Sequence, residues 1–203
     1  MGTKRIGVLI SGRGSNLQAL LDAQGRGELA GEVAAVVSNV ESAAGLERAH
    51  RAGVPALFRD HRGRSREEFD QELVGLLLAQ GAEAVCLAGY MRLVSPVLVR
   101  AFAGRILNVH PALLPAFPGL HAQRQALEHG VKVSGATVHL VDEGLDSGPI
   151  VMQEAVPVLE TDDEDTLSAR ILAAEHRIYP RAVRALLQGR CVLSGRRVVV
   201  EDE

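Results

Sequence analysis

Short runs of apolar residues at 5–11, 33–38, 56–58, 84–88 and 105–109 punctuate the first half of the chain, and they show no regular polar alternation. Between them lie segments of helical periodicity: Leu17, Leu20 and Leu21 recur at helical spacing within 16–24, and 45–52 and 65–80 read as further helices. A strand that is apolar on both faces has to be covered on both faces. Strands that alternate with helices pair in parallel, because each helix carries the chain back across the sheet. The expected fold class is therefore α/β, a doubly wound, mostly parallel sheet with helices on both faces. Further along, a helix at 123–128 precedes two β-rich runs, 133–141 and 150–158. The turn-forming residues between them predict a hairpin and a sheet that becomes mixed towards the C-terminal part. A last helix over 163–187 carries Leu167, Ile171, Ala174 and Ile178 on one stripe, with Pro180 expected to kink it, and 191–200 reads as a small hairpin. No repeat or linker divides the chain, so a single domain over 1–203 is expected.

Composition narrows the function classes. A chain of 203 residues can bury roughly 70% of the surface its unfolded form exposes. Its net charge of −3, without a basic patch, and an aromatic share of 3% offer neither the electrostatic footprint nor the stacking platforms that nucleic acids need. The two cysteines, Cys86 and Cys191, are too few for a disulfide framework, and Cys86 sits in an apolar run that predicts a buried thiol. The start runs directly into a strand rather than a signal peptide, and no stretch approaches the ~20 apolar residues of a membrane span. A cytoplasmic protein with no nucleic-acid or membrane partner is expected.

Two loops carry chemistry. Ser11-Gly12-Arg13-Gly14-Ser15-Asn16 lies between a strand and a helix, where glycines let the backbone approach a ligand and the free N–H groups of a helix start bind an anion. The dinucleotide fingerprint would need a small residue where Leu17 stands and an acidic residue near Ser38-Asn39, and a Walker loop would need Gly-Lys-Ser/Thr. A monophosphate fits better than a dinucleotide, although Ser15 or Asn16 could equally be a plain helix cap. The second loop follows Asn108-Val109-His110-Pro111. Asn108 and His110 alternate along a strand end, so both leave the same face just before prolines stop regular structure. Together with Asp146, in Leu145-Asp146-Ser147-Gly148-Pro149, they supply an amide, an imidazole and a carboxylate, a set suited to acyl transfer.

These motifs, in this order, together with Leu87-Ala88-Gly89-Tyr90-Met91-Arg92 and Glu175-His176, closely resemble the phosphoribosylglycinamide formyltransferases, folate-dependent enzymes of purine synthesis. The resemblance covers nearly the whole chain. It implies a Rossmann-like formyltransferase fold, with a phosphate-binding half over about 1–100 and a catalytic and folate half over about 101–203. The implied reaction moves the formyl group of 10-formyltetrahydrofolate, a co-substrate, to the amino group of glycinamide ribonucleotide. Asn108, His110 and Asp146 are the catalytic positions that the resemblance implies. It places the ribonucleotide at Gly14, Ser15, Asn16, Leu172, Ala173, Ala174 and Glu175. It places the folate at Arg66, Met91, Arg92, Leu93, Val94 and Asn108, with Asp142, Glu143, Gly144, Leu145 and Asp146 as the closing loop. Asp142 adds a charge to that loop.

An amine that attacks a formamide-like carbon creates an oxyanion, to which Asn108 and protonated His110 could donate. Asp146, if it reaches His110, is expected to raise its pKa and hold it protonated. No covalent nucleophile is called for, and no metal either, since the seven histidines are scattered without paired helical spacing. His121 and His139 are expected to make structural hydrogen bonds beside the site, and the acidic run 161–165 to cap the last helix. Rival readings are formyltetrahydrofolate deformylase, which resembles a chain with an added N-terminal domain, methionyl-tRNA formyltransferase, which would need a basic C-terminal domain, and a non-catalytic folate or nucleotide binder. Small molecules are the expected partners, for a monomer or a homodimer.

Overall fold

The computed structural model describes residues 3–201; the Met1 and Gly2 start and the Asp202 and Glu203 end lie outside the described residues. The main sheet has seven strands, β1 (Arg5–Ile10), β2 (Glu32–Ser38), β3 (Ala56–Phe58), β4 (Ala84–Leu87), β5 (Ile106–His110), β6 (Val133–Leu140) and β7 (Ile150–Pro157), in the order β3-β2-β1-β4-β5-β6-β7. Pairing is parallel from β3 through β5 and antiparallel for β5 with β6 and β6 with β7. The helices are α1 (Ser15–Gly25), α2 (Ala44–Arg51), α3 (Arg66–Ala79), α4 (Pro96–Ala101), α5 (Ala122–Glu128) and α6 (Glu164–Leu187), and β8 (Cys191–Ser194) pairs with β9 (Arg197–Val200) as a separate hairpin. No helix among the described residues is long and apolar enough to cross a membrane.

Each face of the sheet has its own core, which is why β1 reads as an unbroken apolar run. Ile6, Val8 and Ile10 pack with Leu17 and Leu20 of α1 and with Leu167, Ile171, Ala174 and Ile178 of α6. Leu9 points the other way, with Val37 and Val85, against Phe69, Leu73 and Leu77 of α3 and Leu98 of α4. Gly7 allows α3 to seat directly on β1, since a Cβ there would lie 2.2 Å from Leu77 Cδ2. Cys86 is buried and unpaired, as its apolar setting predicts, and burial pushes its thiol up to about 12.

Helix α4 is absent from the sequence reading. Six residues are too few for a periodic signal, yet Pro96 sits in its first turn and buries Leu98 against the α3 side of the sheet. α6 stays helical across Pro180. Its acidic start behaves as a cap: the Asp163 carboxylate accepts from Thr166 N–H at 2.8 Å, and Asp162 pairs with Arg170.

The strand order turns round between β1 and β4, since the chain runs outward through β2 and β3 and returns on the other side of β1. The carboxyl ends of strands at such a switch point diverge and leave a crevice. Here a cavity of about 310 Å³ opens there, lined by Ser11, Gly12, Arg13, Gly14, Ser15 and Asn16 on one wall and Ala88, Gly89 and Met91 on the other.

Tyr179 of α6 fixes the next pair of strand ends. Its buried hydroxyl donates to Leu87 O at 2.9 Å and lies 3.1 Å from Leu107 O, so one proton is shared between the ends of β4 and β5. Tyr179→Phe should lower stability by about 1–3 kcal/mol, the cost of leaving buried acceptors unpaired. Urea denaturation measures this, and an unchanged midpoint would show that the shared hydroxyl bond does not contribute.

Candidate active site

The antiparallel register of β5 and β6 sets Asn108 opposite His139 and His110 opposite Thr137. Four polar side chains thus share one end of the sheet. The loop after β6 brings a carboxylate to them. Asp142 Oδ1 accepts from Gly144 N–H at 3.0 Å and from the Ser147 hydroxyl at 2.7 Å, so the charge it introduces is used to fold the loop. Gly148 packs so closely under Leu140 O that a Cβ would stand 1.8 Å away, and Asp146 adopts a left-handed backbone, φ 48°. An L-residue pays for that conformation, so the surroundings must hold it.

The Asp146 carboxylate is what they hold. Oδ2 accepts from Gly119 N–H at 2.8 Å and lies 3.4 Å from His110 Nδ1, while Oδ1 lies 3.4 Å from Asn108 Nδ2 and 3.6 Å from His139 Nε2. His110 Nε2 lies 2.8 Å from Phe117 O, and only an N–H can serve that contact. His139 Nδ1 likewise donates to Leu140 O at 2.9 Å, and its Nε2 lies 3.2 Å from Asn108 Nδ2 and 3.6 Å from Asp146 Oδ1. His139 thus stands against the Asn108 amide. The expected structural bond is present, but its second nitrogen belongs to the site, and only the strand register could have revealed that.

The electrostatics correct one expectation. Burial draws the His110 pKa below the ordinary imidazole value; the Phe117 carbonyl and the Asp146 charge pull it up, His139 pushes it down again, and the net direction is downward. Asp146 acts with the expected sign and is outweighed by desolvation. Geometry nevertheless favours a proton on both ring nitrogens, because with Nε2 donating to Phe117 O a neutral ring would turn a bare Nδ1 towards a carboxylate. His110 is thus a readily deprotonated acid rather than a fixed cation. Burial would raise the Asp146 pKa, but the facing His139, the Gly119 N–H and the His110 charge more than offset this and keep it below the usual carboxylate value.

Across the switch point, α1 starts at Gly14, whose backbone is left-handed at φ 72° and whose Cα packs on Gly45; a Cβ there would stand 2.6 Å from Gly45 Cα. No side chain caps the helix, so neither Ser15 nor Asn16 fills the cap role and the first N–H groups face the cavity wall. Asn16 reaches instead to α6, where Nδ2 donates to Glu175 Oε2 at 2.8 Å, while Asn16 Oδ1 is buried without a protein partner among the described residues. Burial pushes Glu175 up to about 7, with the Asn16 bond working against it. Of the neighbouring α6 positions, Ala174 faces the core, Leu172 is half-buried and Ala173 is exposed.

The remaining named positions line the outer edge. Met91 and Leu93 are exposed at 65% and 52%, whereas Val94 is buried under α3 and α4. Arg92 stacks 5.3 Å over the Phe69 ring. Arg66 lies exposed in the first turn of α3, and its charge, with that of Arg92, acts on buried Asp70, which burial raises and the Ser95 N–H lowers. Glu143 lies 3.6 Å from Arg100, and Leu145 is half exposed beside Gly119. His121 begins α5 with a left-handed backbone and makes no side-chain cap bond. Sequence reasoning read Ser11 only as part of the glycine turn and passed over Phe117 and Gly119, which act through the backbone and so carry no letter to read.

Comparison with known proteins identifies the family. The formyl transferase family model matches residues 4–183. The chain is 47% identical to the phosphoribosylglycinamide formyltransferase of Escherichia coli, over 90% of this chain and 87% of that one. It is 51% identical to the trifunctional purine biosynthetic protein adenosine-3 of Drosophila melanogaster, covering 94% of this chain but only 14% of that much longer protein. Among solved structures, glycinamide ribonucleotide transformylase 1 from Symbiobacterium toebii superposes with a TM-score of 0.97 at 59% identity, over 98% of this chain and 95% of that one. With the mixed seven-stranded sheet, the glycine turn and the Asn108, His110 and Asp146 cluster in place, the chain belongs to the formyl transferase family.

Proposed function

We propose that this chain transfers the formyl group of 10-formyltetrahydrofolate to the amino group of glycinamide ribonucleotide. The observation that carries this reading is the convergence of Asn108, His110 and Asp146 at 3.4 Å contacts, at the same edge of the sheet as the open glycine turn. The ribonucleotide phosphate would take the N–H groups of Gly14, Ser15 and Asn16. Its sugar would meet Glu175 and the unpartnered Asn16 Oδ1. The pterin would lie along the Met91–Val94 backbone edge, under the loop of Asp142, Glu143, Gly144 and Leu145, with Arg66 towards the acidic end of the folate.

In the transfer step the amine nitrogen bonds to the formyl carbon and the carbonyl electrons move to oxygen. The Asn108 amide and the His110 Nδ1–H, both 3.4 Å from the Asp146 carboxylate, are the donors that would turn from it to meet that oxyanion. Collapse breaks the bond to the folate nitrogen, which must gain a proton as the amine loses one. A buried, readily deprotonated His110 suits that exchange, and Asp146 stabilises it while charged.

Glu175 gives a pH signature independent of catalysis. Its folded-state pKa, about 7, lies above the ordinary value of 4.5, so the folded state binds the extra proton between those limits. Its stabilising contribution is complete below pH 4.5 and is lost as pH rises towards 7. Glu175→Gln should therefore flatten the fall in stability of the unliganded protein over this window, read from denaturation midpoints. Parallel pH curves for the two proteins would place the Glu175 proton elsewhere.

Activity is tested by mixing the protein with 10-formyltetrahydrofolate, with and without glycinamide ribonucleotide, and following folate absorbance. Turnover should require the ribonucleotide; turnover without it would make the chain a deformylase, and none in either case a binder. Asn108→Ala should cut turnover by about 10²–10³ while the protein stays folded, the usual cost of one oxyanion donor.

A further inference from the structure

Ser11 ends the first strand just ahead of the glycine turn, yet its bonds run to the opposite wall of the cavity. Its backbone N–H donates to Gly89 O at 3.0 Å. Its half-buried hydroxyl accepts from Met91 N–H at 2.8 Å and donates to Asn39 Oδ1 at 2.6 Å. Asn39 is itself buried just after β2, where His61 Nδ1 lies 3.2 Å from its backbone O and 3.4 Å from its Nδ2 and bonds one of the two according to its tautomer. A serine hydroxyl has one proton, and Asn39 takes it, so a lone pair is left facing the Met91 N–H. Met91 is 65% exposed, and the peptide that carries its N–H is held on the other side by the buried Tyr90.

We propose that Ser11 is a positioning residue for the folate side: from within the nucleotide turn it sets the Met91 peptide and hence the backbone edge from Met91 to Val94. This rests on the function proposed above and deepens it, because it assigns to one side chain the spacing between the two substrate subsites. A residue that merely shaped the glycine turn would act first on the ribonucleotide, whose phosphate subsite begins at its neighbours.

The test is calorimetric binding of tetrahydrofolate and, separately, of glycinamide ribonucleotide to the full chain and to Ser11→Ala and Ser11→Thr. Ser11→Ala should weaken tetrahydrofolate by about three- to ten-fold, the effect of one neutral hydrogen bond, and leave the ribonucleotide within two-fold. Ser11→Thr, which keeps the hydroxyl, should restore tetrahydrofolate binding. Asn39→Ala, which frees the hydroxyl to turn away, should reproduce the folate loss in part. Ser11→Ala with unchanged folate affinity, or with an equal or larger loss for the ribonucleotide, would overturn the proposal. A wild-type protein that binds neither ligand would overturn the function reading, and this proposal with it.

Discussion

Asp146 places one carboxylate where backbone and side chains from separate parts of the chain meet: the Gly119 N–H, the imidazoles of His110 and His139, and the Asn108 amide. Burial of an unpaired carboxylate would be costly, and so would its left-handed backbone. Both are offset by the bond from Gly119 N–H and by the close contacts with His110 and Asn108. The close seat of Gly148 under Leu140 O, and the brace of Asp142 on Gly144 and Ser147, bring the loop to this point.

The sheet determines what else lies within reach. β1 to β5 are parallel, so their carboxyl ends open on one side, and the turn in strand order beside β1 separates the glycine turn from the Met91 edge. β6 runs antiparallel to β5 in a register that sets His139 beside Asn108. α6 spans both regions. Glu175 reaches the turn through Asn16, and one helical turn later Tyr179 ties β4 to β5 immediately before Asn108.

Much of this was legible in the letters. The apolar runs gave the strands because a doubly covered sheet demands them, and the alternation of Asn108 and His110 before Pro111 put both on one face. What was not legible depended on burial and register. α4 is too short to show a period. The role of His139 follows from its pairing with Asn108, and the β6 to β7 ladder even shifts register between Val138 and His139. The expectation that Asp146 would hold His110 above its ordinary pKa counted the charge and omitted desolvation, which here is the larger effect. Ser11 reads in the sequence only as the start of the glycine turn, and its bond to Met91 depends on the fold.

The central claim is that the Asp146 charge partly restores the proton affinity that burial removes from His110. It is tested most directly by following the imidazole resonances of His110 against pH by NMR in the wild type and in Asp146→Asn, which keeps the shape and an oxygen for Gly119. The wild-type ring should titrate below the ordinary value of 6.5. Loss of the charge should lower it further. A His110 titration that stays in place when Asp146 becomes neutral would contradict the account.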